Sequence, residues 1–126
     1  MRRRSDTLTT QELEIMKLIW PQGQATVRDV YNALRDQRTI AYTTVQTMMN
    51  ILEAKGHLKK QPGDKAQVYV PARPQHLVVR AMVSEFVTRV FDGSARPLLV
   101  HLLRERGLSA RERRELQRLL DDEEPK

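Results

Sequence analysis

The stretch "AYTTVQTMMNILEAKG" (residues 41–56) decides the fold of this 126-residue chain. Four of its apolar residues recur at the i, i+3, i+4, i+7 spacing that buries one side of an α-helix: Val45, Met48, Met49 and Leu52. A second set has the same spacing, points to the opposite side and is polar but uncharged: Thr43, Gln46, Thr47 and Asn50. Thr and Asn lower helix stability, whereas the Lys, Glu and Arg of an ordinary surface helix preserve it. This outer face therefore indicates contact with another molecule and not with water alone.

Two further helices are predicted before this stretch. The first runs from about Thr10 to Trp20, is capped by Thr9 or Thr10, and ends at Pro21 and Gly23. Its apolar stripe is Leu13, Met16, Ile19 and Trp20. The second helix is capped by Thr26, and its apolar stripe is Val27, Val30, Tyr31 and Leu34.

After Gly56 the sequence period changes from that of a helix to that of a strand. Two short extended runs, 57–61 and 66–70, lie on either side of "PGDK", where Pro and Gly mark a chain reversal. Lys59, Lys60 and Lys65 make this predicted hairpin basic. Three helices followed by a basic two-stranded ribbon are the layout of a winged helix-turn-helix, which is predicted here for residues 1–73.

Residues 74–126 are predicted to form three more helices after the prolines of "VPARPQ". Their wide aliphatic faces hold few aromatic residues, and a second copy of the chain is the natural cover for them. The fold class is therefore mostly α with a small β hairpin, comprising an N-terminal winged helix and a C-terminal helical dimerisation region. The predicted interface residues are Val79, Met82, Val83, Phe86, Val90, Leu98, Leu99, Leu102, Leu103, Leu116, Leu119 and Leu120.

Composition and charge narrow the classes of function. The net charge is +6, and residues 1–73 carry 12 Lys/Arg against 7 Asp/Glu, so the excess lies with the predicted winged helix. Without cysteine, the chain has no disulfide, thiolate metal site or cysteine catalysis. No catalytic triad, phosphate-binding loop or metal-ligand spacing stands out, so neither an enzyme, a metal site nor a cofactor is predicted. The chain has no secretory signal or bilayer-spanning run, which favours a soluble cytoplasmic protein without a membrane partner.

The outer face of the third helix fits the edges of base pairs in double-stranded DNA. Thr hydroxyls bond to either kind of base edge, Thr methyls pack on the thymine methyl, and Gln pairs with adenine. The predicted base contacts are Thr43, Thr44, Gln46 and Thr47. The predicted phosphate contacts are Arg28, Asn50, Lys59, Lys60 and Lys65. The alternative is a winged helix that binds other proteins and reads no DNA sequence.

Three segments together resemble the penicillinase-repressor (BlaI/MecI) family of bacterial regulators: "LTTQELEIMKLIW", "AYTTVQTMMNILEAKGHL" and "AQVYVP". The resemblance extends in register over nearly the whole chain. It implies a homodimeric transcriptional repressor, joined through its C-terminal helices, that binds palindromic operators with TACA/TGTA-like half-sites. It also implies control of a β-lactam or cell-wall stress response, and base contacts from Thr43, Thr44 and Gln46.

Two departures from the family bear on the inducing signal. Members that control β-lactamase genes are cleaved at an Asn-Phe bond in the fifth helix, which implies a membrane sensor protease as a candidate partner. The matching place here reads "LLVHLLRE", so His101 and Leu102 occupy the candidate cleavage position without that Asn-Phe pair. Copper-responsive relatives carry C-terminal cysteine pairs, which this chain lacks.

Overall fold

The computed structural model describes residues 7–105 and 107–123, and these residues form six helices and one antiparallel two-stranded sheet. The elements are α1 (Thr10–Gln22), α2 (Val27–Arg35), α3 (Tyr42–Ala54), β1 (Leu58–Gln61), β2 (Val68–Pro71), α4 (Gln75–Phe91), α5 (Arg96–Glu105) and α6 (Ala110–Glu123). The predicted fold class, mostly helical with a small hairpin, is confirmed. The chain divides into two compact units, one ending at Val83 and the other beginning at Ser84.

Both ends of α1 are set by local sequence. The Glu12 N–H donates to Thr9 Oγ1 at 3.2 Å, and the Thr9 N–H donates to Glu12 Oε1 at 3.0 Å, a reciprocal capping box. The prediction that Pro21 ends the helix is wrong, since α1 continues to Gln22. Pro21 removes one backbone donor near an exposed helix end, where the carbonyl left without its partner is accessible to solvent and the loss is tolerated. The helix stops at Gly23, whose φ of 79° is left-handed and whose N–H reaches back to the Ile19 carbonyl.

The core of the first unit lies where the inner faces of α1, α2 and α3 meet. Ile15 is fully buried in α1, whereas Leu13 and Trp20 of the predicted apolar stripe are only half-buried against the core. The difference comes from tertiary packing. Because α1 packs against α2, α3 and β2, its buried face differs from the single stripe that the spacing predicts. The remaining helical core residues are Met16, Ile19, Val27, Val30, Leu34, Val45, Met49 and Leu52.

The hairpin is fixed to the helices by backbone bonds. β1 and β2 pair antiparallel, with Lys60 opposite Tyr69. β1 begins one residue later than the predicted run 57–61, and β2 begins two residues later and ends one residue later than the predicted run 66–70. The Tyr69 N–H donates to the Ala25 carbonyl at 2.8 Å, and the Ala25 N–H donates to the Tyr69 carbonyl at 3.0 Å. The hairpin is therefore held against the turn between α1 and α2.

A part-buried ion pair joins the start of α1 to the end of α3. The Lys55 ammonium donates to Glu12 Oε1 at 2.7 Å and to the Thr7 carbonyl at 3.2 Å. Burial alone would raise the pKa of Glu12. The hydrogen bonds from Lys55 and Thr9, with the positive charges of Lys55 and His57, outweigh burial and hold this pKa below its ordinary value of 4.5.

The two units divide within α4, not at the predicted boundary between residues 73 and 74. Val78 is only 5% exposed in the core of the first unit, and Met82 packs against that core. The first turns of α4 therefore belong to the N-terminal unit. In the second unit Ser109 caps α6, since the Glu112 N–H donates to its Oγ at 3.1 Å and the Ser109 N–H donates to Glu112 Oε1 at 3.0 Å, another reciprocal capping box. None of the described helices is long and apolar enough to cross a membrane.

Candidate nucleic-acid interface

The polar stripe of α3 lies outside, as the spacing predicts. Val45 and Met49 are fully buried, and the four side chains predicted to contact bases are all exposed: Thr43, Thr44, Gln46 and Thr47. The residue that precedes α3 is Ala41, which has no side chain able to cap the first backbone N–H groups. The start of α3 therefore presents hydrogen-bond donors beside hydroxyl and amide groups, an arrangement suited to an anion and to base edges.

Arg28 is held beside the start of α3 by two tyrosine rings. Its Cζ lies 4.8 Å from the centroid of the Tyr42 ring and 6.0 Å from that of Tyr31, and the rings themselves meet edge to face at 5.5 Å. These contacts place an exposed guanidinium on α2 next to the first residue of α3. Spacing alone does not identify Tyr42 as a neighbour of Arg28, because the two residues meet only when α2 packs on α3.

The three predicted lysine contacts differ in their surroundings. Lys59 and Lys65 are exposed, and neither has an acidic partner among the residues that the structure describes. The Lys60 ammonium lies 3.7 Å from Glu53 Oε1 and 5.8 Å from the centroid of the Tyr69 ring. Lys60 is thus partly neutralised by α3, and Lys59 and Lys65 are the more available cations of the hairpin.

Asn50 has one side of its amide already bound. Its Oδ1 accepts a hydrogen bond from the Tyr69 hydroxyl at 2.8 Å, although the residue as a whole is exposed. The predicted phosphate contact of Asn50 can therefore come from its Nδ2 donors. Sequence reasoning missed Tyr69, which is 4% exposed, because its position in the strand pattern gives no sign of a partner on α3.

The residues predicted to form a dimer interface are mostly exposed in the described part of the chain. Val79, Val83, Phe86 and Val90 on α4 are exposed at 40–51%, whereas Met82 and Leu98 are half-buried. Leucines of α5, α6 and the segment between them line a largely apolar groove of about 600 Å³: Leu99, Leu102, Leu103, Leu108, Leu116 and Leu119. Leu120 lies in α6, but its side chain falls outside the described residues.

The candidate cleavage position lies within α5. His101 and Leu102 are both exposed there. A protease would have to unwind this part of α5 before it could bind the peptide in an extended form. Cleavage at this position and a sensor protease as a partner stay predictions.

Three helices around one core, with a polar outer face on the third and an attached antiparallel hairpin, define a winged helix-turn-helix protein. The model of the penicillinase repressor family matches residues 8–122, and the chain belongs to this family. The resemblance found from sequence motifs is confirmed. Members of the family are transcriptional repressors and not enzymes.

Relatives of known name cover most of the chain. The penicillinase repressor of Bacillus licheniformis is 27% identical over 115 residues, which are 91% of this chain and 90% of the relative. The transcriptional regulator BlaI of Mycobacterium tuberculosis is 31% identical over 94 residues, which are 73% of this chain and 68% of the relative. These alignments extend beyond the winged helix into the C-terminal unit.

Two solved structures resemble the N-terminal part of the chain. The solution structure of the DNA-binding domain of the repressor BlaI matches with a TM-score of 0.51 and 28% identity, over 59% of this chain and 90% of that one. The monomeric form of Bacillus licheniformis BlaI, solved in complex with the blaP half-operator, matches with a TM-score of 0.50 and 30% identity, over 55% and 84%.

Proposed function

We propose that this protein is a homodimeric transcriptional repressor that binds a palindromic operator with TACA/TGTA-like half-sites. The observation that carries the proposal is the exposed, uncharged polar face of α3 beside a basic hairpin. It would control genes of a β-lactam or cell-wall stress response, and the β-lactam alternative is supported by relatives named penicillinase repressor and methicillin resistance regulatory protein. Such a repressor acts in the bacterial cytoplasm, where the operator lies.

Base recognition is assigned to the first half of α3. Thr43, Thr44 and Thr47 offer hydroxyls and methyls to the major groove, and Gln46 offers an amide suited to adenine. Arg and Lys, the usual partners of guanine, are missing from this exposed set, which supports a half-site rich in A·T pairs. The known complex of Bacillus licheniformis BlaI with the blaP half-operator supports the same use of this domain.

Phosphate contacts supply the part of the affinity that does not depend on sequence. Arg28 lies beside the start of α3 and Lys60 lies 3.7 Å from Glu53 in the last turn of that helix, so cations lie near both ends of α3. Lys59 and Lys65 are further exposed cations of the hairpin. The other proposed phosphate contacts are Lys60 and Asn50. Lys60 lies over the ring of Tyr69, and Asn50 accepts a hydrogen bond from the Tyr69 hydroxyl. Because every neutralised phosphate releases counterions, binding should weaken steeply as salt rises.

Dimer formation is supported by the apolar side chains of the C-terminal helices. Val83, Val90 and Leu119 are each about half exposed, a state that costs free energy unless another surface covers them. A two-fold dimer would place two copies of α3 on two half-sites, and the palindrome would mirror that symmetry.

The test of this function is a salt titration of binding to duplex DNA. Fluorescence anisotropy with a labelled duplex carrying two TACA/TGTA-like half-sites should give a linear fall of log K with log salt. A scrambled duplex of equal length should bind at least about a thousandfold more weakly. Equal affinity for both duplexes, or no binding at about 50 mM salt, would reject the repressor and favour a protein-binding winged helix.

Single substitutions should distinguish residues that contact bases from residues that contact phosphates. Gln46→Ala should cost about 2 kcal/mol on the half-site duplex and little on the scrambled one, since it removes a base contact. Lys59→Ala, which removes an exposed cation of the hairpin, should weaken both duplexes alike and lower the salt slope by about one. Equal losses for Gln46→Ala on the two duplexes would show that this residue reads no base.

A further inference from the structure

Tyr69 connects three parts of the winged helix at one point. Its backbone pairs with Ala25 in the turn between α1 and α2, and it stands opposite Lys60 in the hairpin. Its side chain is buried, and its hydroxyl reaches Asn50 on the outer face of α3. A hydrogen bond of 2.8 Å therefore joins the hairpin to the proposed DNA-reading helix, in addition to the ion pair between Lys60 and Glu53.

The bond to Tyr69 fixes which way the Asn50 amide faces. An amide has an acceptor oxygen on one side and two N–H donors on the other. With Oδ1 bound to the Tyr69 hydroxyl, Nδ2 is the other side of the amide, and it donates to no acceptor among the described residues. The Nδ2 of Asn50 is thus free to donate a hydrogen bond. One lone pair of its Oδ1 is already occupied by the hydrogen bond from Tyr69.

Building on the proposed function, we propose that Tyr69 is a positioning residue, which holds Asn50 as a hydrogen-bond donor to a DNA phosphate. A side chain that pairs with adenine must accept and donate at once, as free Asn and Gln do. Asn50 already uses one lone pair of its oxygen for Tyr69 and keeps its Nδ2 donors, which suits a phosphate contact that needs donors only and is independent of base sequence. Gln46, one turn earlier on α3, has both sides of its amide open and keeps the base-reading role.

The positive charge of Lys60 also favours a phosphate as the ligand of Asn50. Lys60 lies over the Tyr69 ring, with 5.8 Å from its Nζ to the centroid, and projects from the hairpin beside α3. A phosphate bound by Asn50 Nδ2 would also meet the field of this ammonium. Glu53, at 3.7 Å from the same ammonium, keeps Lys60 near α3 when no DNA is bound.

The inference is tested with a double-mutant cycle on the full chain. Affinity is measured by anisotropy at fixed low salt, with the half-site duplex and with the scrambled duplex. Tyr69→Phe keeps the buried ring and the contact with Lys60 but removes the hydroxyl. It should lower affinity about two- to tenfold, equally on both duplexes. In the Asn50→Ala background the same Tyr69→Phe change should cost nothing more.

A third variant tests the orientation with the tyrosine intact. Asn50→Asp can still accept the bond from Tyr69 but offers the DNA a carboxylate oxygen instead of a donor, and it should bind about fivefold more weakly than Asn50→Ala. This arm stands even if Tyr69→Phe proves unstable. NMR provides a readout independent of DNA, because the Asn50 side-chain amide signals should shift and broaden in Tyr69→Phe.

The outcomes separate the two proposals. Equal losses from Tyr69→Phe with and without Asn50 would mean that the tyrosine only holds the hairpin, and would overturn the inference alone. The inference would also be overturned if Asn50→Asp bound DNA as tightly as Asn50→Ala. Failure of the unsubstituted chain to bind either duplex would overturn the proposed function, and the inference with it.

Discussion

Val83→Asp is expected to leave the protein as a monomer and to lower its affinity for a two-half-site operator by a factor on the order of 10² to 10⁴. Val83 is 51% exposed on α4, so the change removes little from the folded monomer. In a two-fold interface, the substitution would bury two carboxylates without partners, at a cost of several kcal/mol for each ion. Loss of the dimer would remove the gain from binding two linked half-sites.

Thr88→Asp is the matched control for Val83→Asp. Thr88 is exposed on the opposite side of the same helix, so the variant carries the same added charge away from the apolar face. Sedimentation at micromolar concentration should give the dimer mass for Thr88→Asp and the monomer mass for Val83→Asp. On a duplex with a single half-site the two variants should bind equally. A dimeric Val83→Asp protein would place the interface elsewhere.

Features that depend on near neighbours in the chain are predictable from the sequence. The burial of Val45, Met49 and Leu52 follows from helical spacing alone, and so does the exposure of the polar stripe on α3. Thr9 and Thr26 are recognisable as caps because the partner of each lies only three residues ahead. For the same reason the winged helix and its basic hairpin are predicted in the correct order.

Features that depend on packing between elements are not predictable in this way. The bond between Tyr69 and Asn50 joins residues 19 positions apart, and that between Lys55 and Glu12 joins residues 43 apart. Neither pair follows a periodic pattern, and each forms only after helices and hairpin have docked. The division of the chain within α4 has the same origin, since Val78 is buried by the core of the N-terminal unit.

The second large effect expected is on stability. Lys55→Met should lower the free energy of unfolding by about 3 kcal/mol at neutral pH, because it leaves Glu12 part-buried without its cation. The side chains of Lys55 and Glu12 are exposed at only 26% and 9%, so water compensates little. Lys59→Met is the control, since that exposed lysine has no acidic partner among the described residues, and it should change stability by less than about 0.5 kcal/mol. Urea unfolding followed by circular dichroism measures both.

The stability of the two proteins should respond differently to acid. In the unsubstituted chain the pKa of Glu12 lies below 4.5, so the contribution of the pair is complete above that value and is lost as pH falls through the lowered pKa. In Lys55→Met the lowering effects of the lysine are lost while burial still acts, so the pKa of Glu12 in the folded state lies above that in the unsubstituted chain. Protonation then relieves the unpaired carboxylate, so the stability gap between the two proteins should narrow as pH falls from neutral.

The variant Glu12→Gln tests the same ion pair by removing the negative charge. Glutamine keeps an oxygen for the Thr9 N–H but carries no charge, so Lys55→Met combined with Glu12→Gln should recover most of the stability that Lys55→Met loses. The recovered protein should also lose the pH dependence of the gap, because no carboxyl is left at position 12 to titrate. If Lys55→Met cost no more than Lys59→Met, or if its deficit persisted unchanged in acid, the ion pair would not be what secures α1 to the end of α3.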